Sequence, residues 1–145
     1  ILKERGMIPD RRKKKAKRLS LRHIKDTFRA FEKNCIDTKH LKGIPVYLLQ
    51  MKRLNLPEYE YTMRDMRTGT AFVGYSAEIS LAHATLFAET VGSWFEHNAI
   101  DMQGSVWQSY GGSEFIGSWN AKNKSTFIKK VEELGAEHYQ IPNPR

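Results

Sequence analysis

Along residues 58–66, "EYEYTMRDM", apolar and polar positions alternate: Tyr59, Tyr61 and Met63 against Glu60, Thr62 and Arg64. Successive side chains of an extended chain point to opposite faces, so this period of two predicts a half-buried strand. Arg67, Thr68 and Gly69 then supply turn residues, and "TAFVGYSAEI" (70–79) reads as a second strand, so the pair predicts a hairpin. After Ser80, a candidate N-cap, the period changes. Leu81, Ala84, Phe87, Ala88, Val91, Trp94 and Phe95 share one face at helical spacing, and Asn98 stops the run.

The flanking segments carry shorter signals. "LSLRHIKDTFRAFEK" (19–33) sets Leu21, Ile24, Phe28 and Phe31 at helical spacing and reads as a short amphipathic helix or a linker. "NCIDTKHL" (34–41) reads as a strand with a polar end. "GIPVYLLQMKRLNLP" (43–57) fits helix and strand alike and is bracketed by Pro45 and Pro57. "SVWQS" (105–109) reads as a short buried strand leading into "YGGSEF". A second helix is predicted over 125–134 with Gly135 as its C-terminal cap, and "AEHYQIP" (136–142) as a last strand. The order strand, strand, strand, helix, strand, helix, strand predicts an α/β fold with a mixed sheet.

Composition narrows the class only slightly. The 145 residues suffice for one domain with a sizeable core, and the hydrophobic (40%) and charged (28%) shares are those of an ordinary globular chain. No apolar run approaches the ~18 residues of a membrane span. The first residues are basic with no apolar stretch behind them, so no secretory leader is expected. The single Cys35 has no internal partner, which fits a reducing, cytoplasmic compartment. A chain that opens on Ile1 is expected to be a piece of a longer polypeptide.

Charge placement adds more. The net charge is +8, but of the 24 Lys/Arg and 16 Asp/Glu, nine and two fall in residues 1–18, so that arm carries +7 and the rest of the chain only +1. Arg11, Arg12, Lys13, Lys14, Lys15, Lys17 and Arg18 form a block that repels itself until it meets a polyanion. Contact with nucleic-acid phosphates is the preferred reading; a targeting signal or a solvated linker is the alternative. Residues 1–25 are accordingly a basic arm and 26–145 a folded core.

"CIDTKHL", "YEYTMRDMRTGTAFVGYS", "VWQSYGGSEFIGSW" and "EHYQIPNP" occur in that order. Together with the predicted element order, they give a chain that resembles, over nearly its whole length, the catalytic core of the DDE integrase and transposase family. Within that family it is closest to the bacterial insertion-sequence branch, which is retroviral-integrase-like. The resemblance implies a ribonuclease H-like fold, here C-terminally incomplete. It also implies DNA end cleavage and strand transfer with Mg²⁺ or Mn²⁺, DNA as partner (transposon ends and target), self-association of the full-length protein, and a bacterial cytoplasm. In that branch a first-strand Asp is followed by a Thr/Lys pair, matched here by Asp37-Thr38-Lys39, and a later strand ends in a Thr-Asp-Asn-Gly-type turn followed by Ser/Thr-Glu-Phe. Residues 109–115 match this second piece, as Ser-Tyr-Gly-Gly-Ser-Glu-Phe.

Such chemistry needs a nucleophilic oxygen activated and a leaving oxygen stabilised, which two divalent ions about 4 Å apart can do. Hard cations want carboxylate oxygens, so the fold must gather acids from distant parts of the chain. Asp37 matches the first acid and metal ligand. Position 110, where the second is expected, holds a tyrosine, which is neutral at pH 7 with a reference pKa of about 10 and bulky enough to fill the cleft. The third, a glutamate expected on a helix after "IPNP", would lie past Arg145. Tyr110 therefore reads as the lost second acid of an integrase-type turn, whether engineered, degenerate or natural. The chain is expected to be catalytically dead, although its family is one of polynucleotidyl transferases.

Other residues carry weaker signals. A tyrosine-recombinase role for Tyr110 lacks the Arg/His constellation and the helical fold it needs. Asp65 could bind metal but fits better as an acid closing the hairpin turn, and Asp101 as a turn residue. Glu114 is expected to support the turn behind the ligands. Glu132 and Glu133 read as a solvated helix face and Glu137 as a strand-edge residue. His23, His40, His83, His97 and His138 have no zinc-type spacing. Trp94, Trp107 and Trp119 read as packing residues. Lys39 and Lys42 could meet phosphate, and Lys122, Lys124, Lys129 and Lys130 form either a second basic patch or a charged helix face. The alternative to an integrase core is a non-catalytic nucleic-acid-binding module that kept the fold.

Overall fold

The computed structural model describes residues 22–118 and 120–142. After a helical turn at 22–26, the first strand, β1, runs Lys33–His40. Asn34 and Ile36 are buried, whereas Asp37, Lys39 and His40 at its far end are exposed. The chain then makes a 3-10 turn (Leu41–Gly43) and a helix, α1 (Pro45–Leu54). This settles the ambiguous segment as helix. Proline at its first position costs no hydrogen bond, and Asn55 ends it in a left-handed conformation (φ 51).

The predicted hairpin is present as β2 (Tyr59–Asp65) and β3 (Ala71–Ser76), with Tyr61 opposite Gly74 and Met63 opposite Phe72. Tyr61 and Met63 are buried, as their alternation requires. Asp65 closes the turn: its carboxylate accepts from the Arg67 and Thr68 amides (3.2 and 2.7 Å) and from the Thr68 hydroxyl (2.7 Å). The buried Asp65 is a turn acid, in line with the preferred reading.

Helix α2 (Leu81–His97) starts at Ser80, whose hydroxyl accepts from the His83 amide, and ends at Asn98. Strand β4 (Val106–Ser109) leads into a four-residue helix, α3 (Ser113–Ile116), that the sequence pattern did not announce. Helix α4 (Thr126–Glu133) and strand β5 (Glu137–Gln140) complete the described chain. Gly135 follows α4 with φ +84, the left-handed position that predicted a glycine there.

The five strands form one mixed sheet in the order β3-β2-β1-β4-β5. The meander β1-β2-β3 is antiparallel, and β4 and β5 run parallel to β1. Helices α2 and α4 cover the face that presents Tyr61, Phe72 and His138. Phe87 packs on Tyr61, Phe95 on Phe72, and Phe127 on both Phe115 and His138. Gly74 is needed here, because a Cβ at that position would press into the Phe87 ring. The core between the two layers centres on Trp107, Met63, Phe95 and Phe127. Trp107 is thus a packing residue, Trp94 is partly exposed, and Trp119 lies outside the described residues. No helix among the described residues is long and apolar enough to cross a membrane.

Candidate functional site

The site of interest lies where β1 and β4 end. Their parallel register pairs Lys33 with Val106, Asn34 with Trp107 and Cys35 with Gln108. Carrying it two residues further brings Asp37 level with Tyr110, at the same end of adjacent strands. The paired register itself ends at Cys35 and Gln108, so Asp37 and Tyr110 each lie two residues past its last pair.

Asp37 is exposed, and its Oδ1 accepts from the Thr38 amide at 2.9 Å. Tyr110 is 53% exposed. The phenol therefore stands in solvent and does not fill a cleft as its bulk suggested. Gly112 leaves room for a neighbouring side chain. Glu114, at the start of α3, folds its carboxylate back over Gly112, where any Cβ would collide with it. Its Oε1 accepts from the Thr38 hydroxyl at 2.9 Å. Thr38 follows Asp37 on β1, so Glu114 ties the end of β1 to the turn that follows β4.

The remaining candidates fall into two groups. Lys39 and His40 are exposed near Asp37, and His40 packs edge-on against Tyr59. Lys42 pairs with Glu58 at 2.5 Å, which raises its pKa chiefly through that hydrogen bond. Asp101 caps its own turn through the Gln103 amide. Lys124, just before α4, pairs with Glu132, and Lys130 pairs with Glu133 and with Glu89 on α2. Arg11, Arg12, Lys13, Lys14, Lys15, Lys17 and Arg18 lie outside the described residues.

A pair that sequence reasoning missed supports the same turn. Ser109, 1% exposed, places its Oγ 2.8 Å from His138 Nε2 on β5. Burial lowers the His138 pKa below its ordinary value, with the Glu132 charge acting weakly in the other direction. The signal was present as parity on two short strands, but only the register Trp107↔His138 and Ser109↔Gln140 brings the two side chains together.

Among the described residues no three of His, Cys, Asp and Glu converge as a metal set. Asp37 is exposed and accepts from the Thr38 amide, and the Glu114 carboxylate is held by the Thr38 hydroxyl. One exposed carboxylate beside a tyrosine does not fit a Mg²⁺ ion, which demands several oxygen ligands before it yields its waters. The donor set present does not match the metal chemistry that the resemblance implies. No protein-family model matches the chain, and a search of curated proteins found no match either.

Proposed function

We propose that the chain is the catalytic-core unit of a DNA transposase or integrase of ribonuclease H-like architecture, in a form that lacks the cutting chemistry. The observation that carries the reading is the meeting of two distant motifs. Asp37-Thr38 on β1 and the turn after β4 stand side by side, joined by the Thr38–Glu114 hydrogen bond. The antiparallel meander with β4 and β5 added in parallel supports the same reading. On this view the arm meets DNA phosphates, Lys39 lies close enough to Asp37 to meet one more, and the full-length bacterial protein self-associates. The exposed phenol at position 110 favours one second reading, a nucleic-acid-binding module that kept the fold after the chemistry was lost. Such a module tolerates Tyr110, and an active enzyme does not.

The test is a calorimetric Mn²⁺ titration of three chains. The present chain is expected to bind weakly, because one exposed carboxylate gains only about 1 kcal/mol per unit charge pair at 4 Å in water. Tyr110→Asp places a second carboxylate beside Asp37 and is expected to raise the affinity measurably. Asp37→Ala on that background is expected to abolish the gain. Equal binding by all three would mean that Asp37 and position 110 do not share a site.

A further inference from the structure

The Tyr110 carbonyl lies one residue beyond β4, where the sheet ladder no longer fixes it. The next two residues, Gly111 and Gly112, have the greatest backbone freedom of any type. Something must hold the peptide that sets the direction of residue 110. Ser109 Oγ lies 3.0 Å from that carbonyl oxygen and 2.8 Å from His138 Nε2. A serine hydroxyl has one proton. Both contacts are hydrogen bonds together only if His138 Nε2–H donates to Ser109 Oγ while the Ser109 hydroxyl donates to the Tyr110 carbonyl. The imidazole is fixed from its other side by Phe127, whose ring meets it edge-on (5.7 Å, 88°). The Ser109 main-chain oxygen is held separately by the Ile141 amide at 2.8 Å.

We propose that His138 is a positioning residue for position 110, acting through a relay from His138 Nε2–H to Ser109 Oγ–H to the Tyr110 carbonyl. It touches no reacting atom. It orients the peptide plane that follows residue 110, through the carbonyl that Ser109 contacts. The relay deepens the proposed function and rests on that reading, since position 110 is where the second acid of such a site would stand. It also assigns the tautomer: burial keeps the ring neutral at pH 7.5, and its one proton sits on Nε2.

The first measurement needs no variant. Ring ¹⁵N spectra of the full chain at pH 7.5 are expected to place the His138 proton on Nε2; a proton on Nδ1 with a bare Nε2 overturns the relay. The second reads the Gly111 amide resonance, which reports on the peptide it shares with the Tyr110 carbonyl. Ser109→Ala and His138→Phe are expected to move it, whereas His138→Gln, whose side-chain amide can also donate to Ser109, is expected to keep it near its original position. A Gly111 resonance that ignores Ser109→Ala overturns the proposal. On the Tyr110→Asp background, His138→Phe is expected to weaken Mn²⁺ binding about 10-fold, the low end for a partner behind the ligand shell, with His138→Gln restoring it. If Tyr110→Asp binds no Mn²⁺ at all, the metal-site reading fails, while the ring spectrum and Gly111 still decide the relay.

Discussion

Thr38 and Glu114 are 76 residues apart in the chain and 2.9 Å apart in the fold. The bond costs nothing in local structure: Thr38 suits a strand, and Glu114 in the first turn of a helix is favoured by the helix dipole. Thr38→Val removes the hydroxyl and keeps the shape, so it tests the bond alone. A hydrogen bond to a charged group contributes about 1.5–3 kcal/mol. Glu114 is only partly buried and can recover water, so the lower part of that range is expected as a loss of unfolding free energy in urea. The same substitution should free the Glu114 carboxylate from β1 and reduce the Mn²⁺ affinity gained by Tyr110→Asp. An unchanged urea midpoint and an unchanged affinity together would show that the bond is ornamental. The position of Glu114 beside the turn was legible because acid and turn are adjacent in sequence. That of His138 was not, because its partner is 29 residues away and only the β4–β5 register joins them.

Elements with long, regular periods were legible, and short ones were not. Helix α2 shows its apolar face, its N-cap and its stop within one continuous run. Helix α1 shows none of this clearly. Val46, Leu49 and Leu54 are exposed and Met51 is its one buried residue, so burial in this domain leaves only a faint period in its sequence. Helix α3 has only four residues, too few for a period to exist. The two serine caps separate local from tertiary contributions. Ser80 Oγ accepts from the His83 amide at 3.3 Å, a local bond, and lies close to the His83 ring (2.8 Å). Ser125 Oγ accepts from the Ile128 amide (3.1 Å) and donates to the Phe115 carbonyl (2.5 Å), so it caps α4 and ties it to α3 while buried. Loss of a cap costs about 1 kcal/mol, and leaving a buried carbonyl without its donor adds about 1–3 kcal/mol. Ser125→Ala is therefore expected to lower unfolding free energy by more than Ser80→Ala, by a factor of about two to four. Comparable losses in a thermal or urea melt would mean that the Phe115 contact contributes nothing.

At the scale of the whole molecule, the strand order was not legible in the sequence, because periodicity says which segments are strands and not which are neighbours. The pairing of β1 with β4 spans the meander and α2, and it decides whether Asp37 and position 110 meet. Charge, by contrast, is legible at this scale without any coordinates. Residues 1–18 carry +7 and the rest of the chain +1, and within the folded part Lys42, Lys124 and Lys130 are already paired with acids. Affinity for a polyanion should therefore reside in the arm. Each phosphate neutralised contributes about −0.9 to the slope of log affinity against log salt. With about five of the nine arm cations engaged, the full chain is expected to bind duplex DNA with a slope of roughly −4 to −5, a loss of about 500-fold between 50 and 200 mM salt. The binding should be insensitive to sequence, since phosphate contacts carry none. Deleting residues 1–18 leaves the described domain untouched and is expected to flatten the slope toward zero in fluorescence anisotropy titrations. A truncated chain that keeps the steep slope would place the DNA contact on the folded core, with Lys39 beside Asp37 as the first position to substitute.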